Sequence, residues 1–158
     1  MKNTSNQNIR VTKVFTFDMA HALFGYDGPC KNIHGHTYEL SVTLKGKVMH
    51  EANHPKDGMV IDFTDFKRIV KQEIIDVFDH ALVLNANSAH ANLKGLNEQF
   101  EKINYVPYQP SCENLLIDFL GRIEHKMPIY ISISNLKLYE TPTSYAEWYK
   151  EDNLVSNQ

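Results

Sequence analysis

Residues 11–44 read VTKVFTFDMAH over 11–21, ALFGYDGPCKNI over 22–33 and HGHTYELSVTL over 34–44. In the first segment Val11, Lys13, Phe15, Phe17, Met19 and His21 share the odd positions, while the even ones are mostly small or polar. Successive side chains of a strand point to opposite faces, so this period of two predicts a half-buried strand. The third segment alternates more cleanly: His34, His36, Tyr38, Leu40, Val42 and Leu44 on one parity, Thr37, Glu39, Ser41, Thr43 and Lys45 on the other. The segment between them carries Gly25, Gly28 and Pro29 and is long enough to cover a site rather than make a tight turn.

Beyond Lys47 a polar stretch with Pro55 and Gly58 leads to the apolar run Met59, Val60, Ile61. Asp62 or Thr64 then caps a helix whose Phe66, Ile69, Val70, Ile74 and Val77 follow helical spacing, ending near Phe78. Residues 85–109 read as a polar insertion with a helical turn or two around Leu93, Leu96 and Phe100. Gln109–Ser111 starts a second helix with Leu115, Leu116, Phe119, Leu120 and Ile123 on its apolar face. Ile129, Ile131 and Ile133 alternate on one parity and Leu136, Leu138 and Glu140 on the other, which predicts a bulge near Ser134 and Asn135. Thr141, Pro142 and Thr143 turn into a last strand over 144–149, and the end beyond Glu151 is expected to be loose. This order predicts one α+β domain over residues 1–158, folded from about 10 to 150, with an antiparallel four-stranded sheet and two helices on one face.

The 158 residues are 42% hydrophobic and 22% charged, as in ordinary globular domains. Sixteen basic and 19 acidic residues give a net charge of −3 and are mixed along the chain, which argues against nucleic acid or an anionic membrane as partner. Met1–Arg10 lacks the apolar run of a signal peptide, and no stretch approaches the roughly 18 apolar residues of a membrane span. A cytoplasmic protein is expected, and in such a small domain open sheet edges favour self-association. Two cysteines, Cys30 and Cys112, are too few for a disulfide framework.

Eight histidines are the unusual feature. If the two strands pair as a hairpin, His21, His34 and His36 meet at one end of the sheet on one face. Three neutral imidazoles leave Zn2+ its full charge and an open fourth position, the pattern of catalytic zinc. Gly35 is expected to let the backbone pass close to the ion. Cys30, in the loop, is either a fourth ligand closing a structural site or a thiolate working beside the metal. His50, His54, His90 and His125 lie in polar segments or near helix ends and read as solvated.

Several motifs, in order, resemble those of the 6-pyruvoyltetrahydropterin and 6-carboxytetrahydropterin synthase family. Phe17-Asp18-Met19-Ala20-His21 is similar to its first zinc motif, and Cys30-Lys31-Asn32-Ile33-His34-Gly35-His36 to its Cys-x-x-x-His-x-His motif. Gly58-Met59-Val60-Ile61-Asp62-Phe63, Asp79-His80, Pro110-Ser111-Cys112-Glu113-Asn114 and Tyr139-Glu140-Thr141 resemble further segments, so the likeness runs from about Phe15 to Trp148. The resemblance implies a tunnelling fold, with sheets of several subunits joined into a barrel, typically a hexamer of two trimers with active sites near subunit boundaries. It implies 7,8-dihydroneopterin triphosphate as substrate, zinc on its side-chain hydroxyls, Cys30 moving a proton, His80 as second acid/base and Asp79 orienting it. Glu140 matches the residue that anchors the pterin ring. Ser111 and Glu113 either contact substrate or stabilise a helix N-terminus. Cys112 stands where a hydroxyl residue is expected.

The short spacing from Cys30 to His34 resembles the bacterial carboxy enzymes of queuosine biosynthesis more than the animal pyruvoyl enzymes. The implied reaction removes triphosphate and releases acetaldehyde, leaving 6-carboxy-5,6,7,8-tetrahydropterin. The alternatives are the pyruvoyl synthase, which stops after triphosphate elimination and an internal redox shift, and a noncatalytic zinc-binding module closed by Cys30.

Overall fold

The computed structural model describes residues 7–154. The alternating segments form β1 (Asn8–His21) and β2 (His34–Lys47), paired antiparallel along their whole length from Asn8 opposite Lys47 to His21 opposite His34. Helix α1 starts at Phe63–Val70, with Asp62 as its N-cap accepting from the Thr64 N–H. It widens into a π-helical segment at Lys71–Ile75 and closes with a turn at Asp76–Phe78. The wider turn rotates the helix, so Phe78 is fully buried and Val77 only partly so. Helix α3 (Cys112–Glu124) is capped by Ser111, as expected, and follows the short helix α2 (Leu96–Gln99).

The sheet differs from expectation. It has six strands and is mixed, in the order β4-β3-β1-β2-β5-β6. The antiparallel part, β1, β2, β5 (Ser132–Thr141) and β6 (Ser144–Tyr149), is the expected one, and β3 (Ala81–Asn85) and β4 (Ile103–Val106) extend it with parallel pairings. Both added strands are short, and Ala-Leu-Val-Leu in β3 is continuously apolar because Val83 and Leu84 are both buried on their opposite faces. Period-two alternation does not reveal such a strand. Residues 85–109 therefore hold strand β4 as well as the turns expected there, a 3-10 turn at Ala89–Asn92 and α2.

The bulge lies where the parity changes. Thr43 pairs with Asn135 and Leu44 with Ile133, so Ser134 is the extra residue. It keeps Ile133, Leu136 and Leu138 all in the core. Glu151–Asn153 form a 3-10 turn, and the loose end expected further on lies beyond residue 154, outside the described residues.

Both long helices cover one face of the sheet. Phe66, Ile74 and Phe78 of α1 and Leu115, Phe119 and Ile123 of α3 are fully buried against Phe17, Tyr38, Leu40, Leu44, Leu136 and Leu138. Phe119 sits at the junction, with Phe17 at 6.0 Å and Phe78 at 4.9 Å between ring centroids, both edge-on. Among the described residues no helix is long and apolar enough to cross a membrane. Phe119→Ala is expected to cost about 3–5 kcal/mol in urea unfolding, while Ile117→Ala on the exposed face of the same helix costs within about 0.5 kcal/mol. Equal losses for the two would contradict this packing.

Candidate functional site

Hairpin pairing sets His21 opposite His34 and Met19 opposite His36. The ligand nitrogens of the three histidines lie within 4.8 Å of one another, and His21 Nε2 is 3.1 Å from His34 Nε2. His21 Nδ1 is 2.7 Å from the Pro110 carbonyl, just before α3, and His34 Nδ1 is 2.8 Å from the Asn32 carbonyl. A carbonyl only accepts, so each Nδ1 holds the proton and each Nε2 turns a lone pair toward the other. His36 Nε2 is buried without a hydrogen-bond partner. Facing lone pairs and an orphaned buried nitrogen are costly unless a cation lies among them, so these residues fit a metal ion. Burial draws the proton affinity of His21 and His36 below the ordinary range, against the pull of the Pro110 carbonyl on His21 and of Glu140 on both. Neutral imidazoles are the ligating form.

Among the described residues this metal-sized group contains the three histidines and not Cys30. Gly35 serves the hairpin rather than the ion. A Cβ there would come 3.3 Å from the Met19 carbonyl and 3.8 Å from Ala20 Cβ, on the face opposite the imidazoles.

Strand β5 brings Glu140 to the group. Its Oε1 lies 3.4 Å from His21 Nε2 and 3.9 Å from His36 Nε2, and accepts a hydrogen bond from the Tyr38 hydroxyl at 3.1 Å. Tyr38 is fully buried, and burial followed by the Glu140 charge holds its phenol well above the ordinary range, so it stays a donor. Glu140 does point inward, as its parity predicts.

Cys30 sits in a 3-10 turn at Pro29–Lys31 of the β1–β2 loop. With His21, Ser111, Glu113 and Glu140 it lines a cavity of about 270 Å³. Five expected site residues thus meet there. The Ser111 hydroxyl also caps α3, accepting from the Asn114 N–H at 3.4 Å, and Glu113 lies exposed in the first turn. Cys112 turns inward instead: its Sγ donates to the Leu138 carbonyl at 3.3 Å, and burial pushes its thiol up to about 11. Such a thiol is a packing group.

Asp79 and His80 do not join this cavity. Asp79 Oδ1 accepts from the Asp18 N–H and lies 3.0 Å from His80 Nδ1, while the His80 N–H donates to the Asp18 carbonyl at 2.7 Å. His80 has φ of 59°, in the left-handed region, and these bonds to Asp18 hold it there. Desolvation works against the Asp79 charge, but the Asp18 N–H and His80 prevail and hold its carboxyl below the usual range. His80, its side chain 76% exposed, opens on a larger cleft of about 1100 Å³ with Asp18, His36 and Lys102, beside the exposed Ile33 and Phe100. His36 is therefore the metal-group member that reaches the His80 side.

Three contributors are unmarked in the sequence: the Pro110 carbonyl, Asp18 as anchor of Asp79 and His80, and Gln109, whose amide bonds the loop at Phe24. Tyr38 does carry a signal, since it shares the parity of His34 and His36. Of the other histidines, His50 and His125 are exposed as expected, His54 Nδ1 accepts from the Lys56 N–H, and His90 departs most, with Nδ1 buried and its ring edge-on to Phe24 at 5.2 Å.

Residues 10–151 match the family model for 6-pyruvoyl tetrahydropterin synthase. A 6-carboxy-5,6,7,8-tetrahydropterin synthase of Haemophilus influenzae is 38% identical over 141 residues, covering 88% of this chain and 97% of that protein. One of Rickettsia felis is 33% identical over 88% of this chain and 99% of its own length. The solved 6-pyruvoyl tetrahydropterin synthase of Plasmodium falciparum superimposes with a TM-score of 0.68 at 22% identity, over 92% of this chain and 99% of that one. The Caenorhabditis elegans 6-pyruvoyl tetrahydropterin synthase gives 0.63 at 24%, over 90% and 96%.

His21→Ala, His34→Ala and His36→Ala are each expected to weaken metal binding at least about 100-fold in chelator competition, since even outer-shell partners are worth 10–100-fold. Cys30→Ala should stay within about threefold of the parent, and metal loss in that variant would instead indicate a closed four-ligand site.

Proposed function

The chain belongs to the 6-pyruvoyl tetrahydropterin synthase family, and we propose that within it the protein is a zinc-dependent 6-carboxy-5,6,7,8-tetrahydropterin synthase. The observation that carries this choice is the name borne by relatives that match this chain along nearly their whole length. The substrates are 7,8-dihydroneopterin triphosphate and one water, and the products are 6-carboxy-5,6,7,8-tetrahydropterin, triphosphate and acetaldehyde, a lyase step toward queuosine. His21, His34 and His36 would hold the Zn2+, which would supply a Lewis acid for the substrate's side-chain hydroxyls.

The chain's own residues do the rest. Glu140 receives the amino-pyrimidine edge of the pterin through parallel hydrogen bonds, and the Tyr38 hydroxyl, bonded to its Oε1, fixes its direction. Ser111 and Glu113 line the same cavity and border the substrate. Cys30 moves a proton at the side chain as a base or acid on that wall. His80 is the second acid/base, oriented by Asp79.

Within one chain Cys30 and His80 open on different cavities, so we propose that a neighbouring subunit brings its His80 to the Cys30 side. A homohexamer of two trimers, working in the cytoplasm without nucleic acid or membrane, suits the tunnelling fold, the short edge strands β4 and β6 and the mixed surface charge.

The test is incubation of zinc-loaded protein with 7,8-dihydroneopterin triphosphate and identification of products by mass spectrometry. 6-Carboxy-5,6,7,8-tetrahydropterin with acetaldehyde is expected, while 6-pyruvoyltetrahydropterin would move the protein to the sister activity. Cys30→Ala should lower kcat by about 100–10,000-fold, the usual worth of a positioned acid or base, with zinc retained. Glu140→Gln keeps one acceptor and gains a misplaced donor, so it should raise KM about tenfold, the equivalent of about 1.4 kcal/mol.

A further inference from the structure

Residues 85–109 have no part in the chemistry above, yet they grip the loop that carries Cys30. Within itself that loop is tied by Leu23 N–H to the Cys30 carbonyl at 2.9 Å, Lys31 N–H to Gly28 at 3.3 Å, Tyr26 N–H to Leu23 at 3.4 Å, and Asn32 N–H and Nδ2 to the Pro29 carbonyl, each at 3.1 Å. Gly25 at φ of 75° turns it. Its outside anchor is Phe24. The Phe24 N–H donates to Gln109 Oε1 at 3.1 Å and the Phe24 carbonyl accepts from Gln109 Nε2 at 2.8 Å. The Phe24 ring also stands edge-on to the His90 ring, 5.2 Å away at 85°.

Both gripping residues are themselves fixed. The Gln109 carbonyl accepts from the Ser111 N–H at 2.8 Å and from Asn114 Nδ2 at 3.0 Å, at the start of α3. The next carbonyl, that of Pro110, holds His21 Nδ1. The turn that carries His90 is capped by the Ser88 hydroxyl, which donates to the Asn85 carbonyl at 2.8 Å, and Asn87 Nδ2 bonds the Pro107 carbonyl at 3.0 Å.

We propose that the 85–109 segment braces the β1–β2 loop, with Gln109 as the positioning residue that fixes Cys30 relative to the metal histidines. This rests on the assignment of Cys30 as proton carrier. The path is short: Gln109 grips Phe24, and the neighbouring Leu23 N–H holds the Cys30 carbonyl. Gln109 and Pro110 together tie the thiol loop and a metal ligand to one helix start, so the thiol and the ion keep one spacing. A primary amide is needed because it both donates and accepts. A carboxylate loses the donor, while a protonated carboxyl restores it.

The experiment compares Gln109→Ala and Gln109→Glu with the parent in zinc-loaded protein. In Gln109→Ala the Phe24 amide should exchange hydrogen at least about tenfold faster. Alkylation of Cys30 by iodoacetamide, mapped by peptide mass, should change at least about threefold, with zinc stoichiometry unchanged. On 7,8-dihydroneopterin triphosphate, kcat should fall about 10–100-fold with KM within about twofold, the effect of misplacing a reacting group. The introduced carboxyl gives the distinguishing signature. At neutral pH, where the metal stays bound, the carboxylate still accepts from the Phe24 N–H but cannot donate to the Phe24 carbonyl, so Gln109→Glu should lower kcat while its Phe24 amide exchanges more slowly than in Gln109→Ala. Unchanged Phe24 exchange and Cys30 alkylation in Gln109→Ala would overturn the brace, and so would a loosened loop with kcat still within twofold of the parent. Loosening in a protein whose parent shows no turnover would leave the brace standing and remove the proposed activity instead.

Discussion

The register of the β1–β2 hairpin is the constraint on which core and site both stand. His21 faces His34 and Met19 faces His36 because Phe17 is paired with Tyr38 and Phe15 with Leu40. A slip by one residue would turn every side chain of one strand to the other face. It would expose Tyr38, Leu40, Val42 and Leu44, each fully buried, at about 1.5–3 kcal/mol apiece. Four such losses are comparable with the whole net stability of a domain, about 5–15 kcal/mol. The apolar core therefore holds three imidazoles closer together than they would settle unaided, and the histidines need contribute nothing to the register that positions them.

A second layer of bonds turns this cluster into a directed site. Carbonyls of Pro110 and Asn32 choose the tautomer of His21 and His34, and both come from the backbone at places where chain direction changes. Glu140 arrives from β5 past the Ser134 bulge, which restores the inward parity of Leu136, Leu138 and Glu140 after Ile133. Without that bulge, Leu136, Leu138 and the carboxylate would all turn outward, and Lys137 and Tyr139 would take their places in the core. Tyr38 then joins layers, its ring stacked on Phe17 at 5.4 Å in the core and its hydroxyl on Glu140 at the rim.

What was legible in the sequence was what local physics decides. Alternation marked β1, β2 and β5, the Thr141–Thr143 turn marked β6, Asp62 and Ser111 marked helix starts, and a parity change marked the bulge, because each depends on neighbours within a few residues. The three histidines were legible because strand parity fixes their direction before any tertiary contact is known. Strands β3 and β4 were not, since a parallel strand buried on both faces lacks alternation and only the fold supplies its partner. Nor was the separation of His80 from Cys30, which depends on where α1 ends against β1. The roles of Asp18 and Pro110 are exercised through main-chain atoms, which every residue type carries, so their side-chain identities could not announce them.

Strand β1 also bears on both clefts of the chain. His21 and Asp18 are three residues apart on the same strand. His21 joins the histidine group beside Glu140, while the main chain of Asp18 carries Asp79 and His80. The left-handed backbone of His80 costs about 1–3 kcal/mol and persists because the Asp18 N–H and carbonyl hold both residues of the pair. Asp18 lies inside the fully paired hairpin, and its N–H and carbonyl point in the sheet plane toward β3, so the same strand that carries His21 also fixes the Asp79 side chain and the His80 backbone just before Ala81 pairs with Met19. Cys30 and His80 thus line separate cavities within a chain. In the proposed oligomer a rigid His80 can be delivered to a neighbour's Cys30 with little ordering left to do, which is where preorganisation lowers a barrier most.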